Sequence, residues 1–194
     1  WLLFVAAPGW AVDCAALTFR GQGYTACTVD IRHDDIRLFL RAPDAAPYGD
    51  FLTLNLALAQ QNLTLSFAMN AGMYHPDRSP VGYYVEQGVT RMRLLTRASP
   101  GNFGLLPNGV LCIGDRTIEV IETLKFAARN LVCRSASQSG PMLVIDGALH
   151  PRFLKDSRSR FIRNGVGMRE GGQQAIFVMS KSFVTLHEFA SLFK

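Results

Sequence analysis

The chain has 194 residues, 48% of them hydrophobic and 18% charged. A chain of that length and balance can bury one full core without help from metals, which excludes a disordered chain, a coiled coil and a collagen-like repeat. Its 20 Lys and Arg against 15 Asp and Glu leave a net charge of +5. This suits anionic small molecules or envelope polymers, whereas the cations form no arm, zinc finger or aromatic-interleaved stripe, so no nucleic-acid partner is expected.

Residues 1–7 form an apolar run that breaks at Pro8-Gly9, with a small-x-small pattern ending at Ala11. That order describes the end of a secretory signal, so 1–11 is expected to be a signal remnant and 12–194 one domain. The alternative is a buried N-terminal strand. A membrane span needs about 20 apolar residues, so no stable membrane insertion is expected. Four cysteines stand at 14, 27, 112 and 133 with no Cys-x-x-Cys pair. An even number behind an export signal favours disulfides in a periplasmic or cell-envelope protein. Cys14–Cys27 would staple the first hairpin and Cys112–Cys133 would be the second bridge, although sequence alone allows three connectivities, and buried free thiols are the alternative.

Strands are expected over 17–20 and 24–32, turning at Gly21-Gln-Gly23, and over 36–41, where apolar and polar residues alternate. Pro43 and Pro47 mark a loop. Asp50 can cap a helix over 51–61. A buried strand is expected over 63–69, then a Gly- and Pro-rich loop to Pro80. Strands over 82–86, 103–106 and 110–113 follow, the last after the turn Pro107-Asn108-Gly109. Residues 118–129 read as strand then helix. The run 142–145 closes at Asp146-Gly147, a hairpin dipeptide. A strand over 175–180 precedes Thr185 and Glu188, a capping box for a terminal helix. The fold class expected is α+β, a single mixed domain with a central twisted sheet flanked by a few helices.

No metal triad, nucleophile elbow or phosphate-binding glycine loop is present, and the four His residues are too dispersed for a ligand set. No metal or cofactor is expected. Chemistry can instead reside in three Gly-rich stretches that follow buried strands: Asn70 to Gly82, Gln138 to Met142 with Asp146-Gly147, and Arg163 to Arg169. Glycine allows close approach to a ligand, and strand ends hold side chains on a rigid frame.

Phe67-Ala-Met-Asn-Ala-Gly-Met-Tyr74 with Ser79-Pro-Val-Gly82, Gly101-Asn-Phe with Pro107-Asn-Gly-Val110, Gln138-Ser-Gly-Pro-Met142 with Asp146-Gly147, and Arg163-Asn-Gly-Val-Gly167 occur in one order. Together these blocks resemble the phosphodiester glycosidase family, most closely its small exported bacterial branch. The resemblance runs from about Leu17 to Lys194. It implies hydrolysis between the anomeric carbon and oxygen of a sugar-1-phosphodiester, giving free sugar and a phosphomonoester. On the matching blocks, Asn70 and Tyr74 would orient sugar hydroxyls or a water, and Arg163 would clamp phosphate with its planar guanidinium. Asn164, Gln138, Ser139 and Gly72 would complete the binding set.

Asp146, the acidic residue within a matching block, is the carboxylate candidate for catalysis, with an Asp-Gly hairpin turn as its alternative. Glu188 is explained by the capping box, and Glu86 by the end of a strand. The cations Arg152, Lys155, Arg158, Arg160, Arg163 and Arg169 could draw anionic substrates, or form a solvated loop. Family members continue past the terminal helix into a strand and a Leu-Asp-Gly-Gly or Leu-Asp-Gly-Ser loop whose Asp suits catalysis. The resemblance therefore implies a longer natural protein and weak or absent activity in the 194-residue chain alone. A non-catalytic binder of sugar-phosphate polymers is the competing reading.

Overall fold

The computed structural model describes residues 12–169 and 171–194, so the expected signal remnant lies outside the described residues. Strands β1 (Asp13–Phe19) and β2 (Gln22–Asp30) form the first hairpin. Arg20 at φ 49° and Gly21 at φ 76° make the turn. A two-residue hairpin needs positive φ at both central positions, so the turn falls at Arg20-Gly21 rather than at Gly21-Gln-Gly23. Cys14 lies directly opposite Cys27 in this ladder and is disulfide-bonded to it.

The strand expected over 36–41 is irregular chain. Leu38 is buried, but the backbone finds other partners: Leu40 N donates to Glu86 Oε1 at 3.3 Å, and Arg41 bridges Pro47. Helix α1 (Phe51–Ala59) begins where Asp50 accepts from Thr53 N at 2.7 Å, and it buries Leu54 and Leu58. Residues 63–69 are also no strand. Phe67 and Met69 pack on the core while Ser66 and Ala68 face out, so the alternation holds but no neighbouring strand completes a ladder.

Strands β3 (Tyr84–Glu86) and β4 (Val89–Met92) form a hairpin. The strand expected over 103–106 is a series of turns with Phe103 buried beneath it. Strands β5 (Gly109–Ile113) and β6 (Ile118–Glu122) lead into α2 (Thr123–Arg129). The Glu122 carboxylate caps that helix through Leu124 N at 3.0 Å and Lys125 N at 2.9 Å. Cys133, just beyond, is disulfide-bonded to Cys112 in β5.

Strand β7 (Ser135–Ser139) follows, then the small hairpin β8 (Val144–Ile145) and β9 (Ala148–Leu149). Strands β10 (Asn164–Met168) and β11 (Gln174–Ser180) precede α3 (Leu186–Ser191). The Thr185–Glu188 capping box is present at the start of that helix.

The class is mixed α+β as expected, with the strands divided between two principal antiparallel sheets in place of one central sheet. One has the order β1-β2-β11-β10 and the other β4-β3-β7-β5-β6. Val29 and Phe177 of the first meet Leu111, Ile113 and Ile118 of the second in a shared core. Because strand side chains alternate, Val110 and Cys112 point the other way, into a cluster with Val85, Ile121 and Phe126. A third cluster sets Tyr24 and Val178 against Val184 and Phe189. Burying a Phe or Val side chain stabilises by about 1.5–3 kcal/mol, so these clusters fix the frame on which the loops stand.

The strands not expected from the sequence include β4, β7 and β10, and the last two have a plain physical reason. β7 reads Ser-Ala-Ser-Gln-Ser yet lies centrally between β3 and β5. β10 reads as a glycine loop, but its glycines admit helix α3. A Cβ at Gly165 would lie 3.0 Å from the Phe189 ring, and one at Gly167 would lie 2.9 Å from the Phe193 ring.

Candidate functional site

A cavity of about 1480 Å³ opens between the sheets. Apolar side chains including Phe67, Met69, Leu111, Val166 and Ile176 line it, together with polar residues from all three Gly-rich stretches.

The first stretch forms a strap over the end of β7. Ser137 Oγ donates to Ala71 O at 2.9 Å, and Val81 N donates to Met73 O at 3.0 Å. Gly72 must be glycine for this seat, since a Cβ there would lie 2.8 Å from Ser137 Oγ. Asn70 stands at the start of the strap. Its Oδ1 and, at 3.4 Å, its backbone O accept from Asn164 Nδ2, while its own Nδ2 donates to Gly72 O at 3.4 Å. The fold thus joins two candidate residues 94 positions apart in sequence.

Tyr74, half exposed, bridges Pro80 and carries the Arg78 guanidinium 5.2 Å from its ring centroid. The tight turn between them is held by Asp77 Oδ1, which accepts from Ser79 Oγ at 2.6 Å and Ser79 N at 2.9 Å. Those bonds to Ser79 hold the Asp77 carboxyl below its usual range.

Arg163 sits just before β10 and lines the cavity. Its Nε donates to Val184 O at 2.9 Å and its Nη2 to Ser159 O at 3.2 Å, with the guanidinium 5.5 Å from the Phe161 centroid. Three of its five N–H groups have no acceptor among the described residues. Burial lowers its pKa from the ordinary value, but a guanidinium stays charged at neutral pH. The side chain is therefore a fixed cation with donors to spare.

The other candidates divide. Ser139 ends β7 and lines the cavity. Gln138 does not present its amide to a ligand. It is 2% exposed, its Oε1 accepts from Tyr83 N and Leu95 N at 3.1 Å each, and its Nε2 donates to Leu95 O at 2.6 Å. Nε2 also lies 3.1 Å from Thr123 Oγ1 and 3.3 Å from Asn108 Oδ1. Asn108 in turn donates to Phe103 O at 3.1 Å. This buried network holds the 102–103 turn and the start of β3 against the end of β7. The Pro107-Asn108-Gly109 turn is the one sequence signal pointing to it.

Asp146 is not brought to the cluster. It occupies the β8–β9 turn at φ 48°, its side chain is 84% exposed, and its nearest ionic partner is Lys125 at 3.8 Å. It lies outside the lining of the cavity. Glu188 is committed to Thr185 N and to Arg160. Glu86 is committed to Leu40 N, and desolvation raises its carboxyl above the usual range.

Three carboxylates outside the candidate set also line the cavity: Asp34, Asp35 and Asp50, the last expected only as a helix cap. All three are occupied. Asp34 accepts from Asp30 N at 2.7 Å, Asp35 pairs with Arg37 and Arg134, and Asp50 caps α1. Among the described residues no group of three His, Cys, Asp or Glu is placed to hold a metal ion.

Asn70, Tyr74, Ser139, Arg163 and Asn164 therefore lie on one cavity, with amides, hydroxyls and a fixed cation suited to a polar, anionic ligand. The model of the phosphodiester glycosidase family matches residues 64–194, which include every one of them. The chain belongs to the phosphodiester glycosidase family, a family of glycosidase hydrolases, which implies a substrate that contains a sugar. It is similar to the uncharacterized protein YigE of Escherichia coli (strain K12), with 30% identity over 182 residues, covering 93% of this chain and 70% of that protein.

Proposed function

We propose that the protein hydrolyses a sugar-1-phosphodiester at its glycosidic bond. Water supplies oxygen to the anomeric carbon, the bond from that carbon to the bridging oxygen breaks, and the oxygen leaves with the phosphomonoester. One water proton stays on the new anomeric hydroxyl, and the other passes to a buffer base or to the leaving phosphate. A phosphomonoester leaves readily, so less is demanded of a general acid than for an ordinary glycoside.

The observation that carries this reading is Arg163. A guanidinium anchored by two backbone carbonyls, with three N–H groups left over, can grip two phosphate oxygens at once. Asn164, the next residue in the chain, is paired with Asn70 and would orient a sugar hydroxyl or the attacking water, with Tyr74 and Ser139 adding hydroxyl contacts. The two disulfides fit an oxidising compartment, and no helix among the described residues is long and apolar enough to cross a membrane. We place the protein in the periplasm or cell envelope.

The test is incubation with UDP-N-acetylglucosamine or a sugar-1-phosphate methyl diester in heavy-oxygen water, with products identified by mass. Free sugar carrying the label, with an unlabelled phosphomonoester, supports the reading. Sugar-1-phosphate would mean P–O cleavage and a different hydrolase. A second reading, a non-catalytic binder of sugar-phosphate polymers, is favoured by the occupied state of Asp34, Asp35 and Asp50. Retained binding without turnover would establish it.

A further inference from the structure

A second hollow, of about 470 Å³, adjoins the large cavity. The two share Asn70, Gly72, Met73, Tyr74 and Asn102, so the strap and one turn residue form their common wall. Val81, Pro100 and Phe103 supply apolar surface on the other sides. The two spaces differ in charge. Charged residues of both signs, Arg37, Arg78 and Arg163 with Asp34, Asp35 and Asp50, line the large cavity, whereas no charged residue lines the hollow.

Two polar groups on the shared wall, both on exposed residues, are open to a ligand. The Asn102 side-chain amide and the Tyr74 hydroxyl have no hydrogen-bond partner among the described residues. Asn102 is nevertheless held by its backbone. Its carbonyl accepts from Leu105 N at 3.3 Å, and the carbonyl of the next residue, Phe103, accepts from buried Asn108 at 3.1 Å. A Cβ on Gly140 would lie 3.0 Å from Phe103 O, so the turn is also seated closely on the end of β7.

We propose that this hollow is the monosaccharide subsite and that Asn102 determines which sugar it takes. The proposal rests on the phosphodiester reading above. A neutral recess with an apolar floor, the two amides of Asn70 and Asn102 and one phenol matches a pyranose ring, whose faces are C–H and whose rim is hydroxyl. The dianionic or monoanionic phosphate belongs on the other side of the wall, at Arg163. Asn70, common to both spaces, then stands where the bond between sugar and phosphate must lie.

The experiment separates the halves of the substrate. Free N-acetylglucosamine, glucose and galactose, and separately methyl phosphate, are titrated by NMR into the wild-type protein, Asn102→Ala and Arg163→Lys. A thermal melt of each variant checks folding. The expected result is that at least one sugar binds, that Asn102→Ala weakens it about tenfold and flattens the preference among the three, and that Arg163→Lys leaves it within about twofold. Methyl phosphate should show the reverse dependence. On a diester substrate, Asn102→Ala should raise KM with kcat nearly kept.

Sugar binding that ignores Asn102, or no binding of any sugar, overturns the subsite. Diester turnover alongside that result would leave the hydrolase reading intact. Asn102-dependent sugar binding without diester turnover would keep the subsite and remove the hydrolase.

Discussion

Asn164 Nδ2 donates to both the side-chain and the backbone oxygen of Asn70, tying the first strand position of β10 to the start of the 70–74 strap. The link spans 94 residues of sequence and joins two of the Gly-rich stretches in one polar site. It is exposed, so it is worth little to stability and much to geometry.

Asn164→Ala should lower kcat/KM on a sugar-1-phosphodiester by about 10- to 100-fold, equivalent to about 1.4–2.7 kcal/mol, with little change in Tm. A double-mutant cycle with Asn70→Ala should show strong coupling, because either change breaks the same bond. Additive losses would show that the pair does not act as a unit.

Gln138→Leu should behave differently. The substitution leaves Tyr83 N, Leu95 N and Leu95 O without their partner in a buried setting. At about 1–3 kcal/mol for each unsatisfied group, partly relieved by rearrangement, a loss of about 3 kcal/mol or more is expected in urea denaturation. A neutral result would mean that water replaces the amide.

Gly82 is buried against the Phe103 ring. A Cβ there would lie 2.5 Å from Phe103 Cζ and 2.9 Å from Gln138 Oε1. Gly82→Ala should cost about 1–3 kcal/mol by overpacking, and Phe103→Leu in the same chain should restore part of it. Failure of the second change to rescue would place the strain in the Gln138 amide instead.

His150 is 2% exposed and stacked on Phe153 at 4.8 Å. Its Nδ1 accepts from Arg152 N at 3.2 Å, which leaves the proton on Nε2, 3.2 Å from Leu106 O. Desolvation lowers its pKa below the ordinary 6.5, with Arg152 adding in the same direction against the opposing Leu106 bond. The unfolded chain therefore binds more protons than the folded one below that ordinary value. The contribution of His150 to stability is full above about 6.5 and is lost as pH falls through the folded pKa. Tm should drop between pH 7.5 and 5 more steeply than in His150→Asn, whose Oδ1 can still accept from Arg152 N. Equal slopes would assign the acid sensitivity elsewhere.

The disulfides should be unequal. Cys112–Cys133 closes the longer loop, with a sequence separation of 21 against 13, and both its cysteines are buried, whereas Cys14 is on an exposed strand. Replacing Cys112 and Cys133 by Ala should cost about 2–4 kcal/mol, and replacing Cys14 and Cys27 clearly less. Guanidinium denaturation of the two double variants measures the difference.

Much of the fold is legible in the sequence alone. The capping residues Asp50 and Thr185, the Asp146-Gly147 turn and the apolar run of β11 are local signals, and the backbone obeys them. The family blocks likewise mark Asn70, Tyr74, Arg163 and Asn164, because the residues of those blocks are contiguous in the chain. What sequence could not decide was whether each polar residue faces a ligand or the interior. β7 carries no apolar pattern, since its Ser137 and Gln138 side chains are satisfied by distant segments that only folding brings near. β10 is hidden for the opposite reason: its glycines are small because Phe189 and Phe193 stand over them.

Composition, spacing and caps thus determined the class, the elements with local start and stop signals, and the candidate polar residues. Tertiary structure turned Gln138 inward, left Asp146 on a surface turn, and brought Asn102 into the wall between two cavities. Hydrogen-bond satisfaction and burial are properties of neighbours in space, and for these residues the neighbours lie far away in the chain.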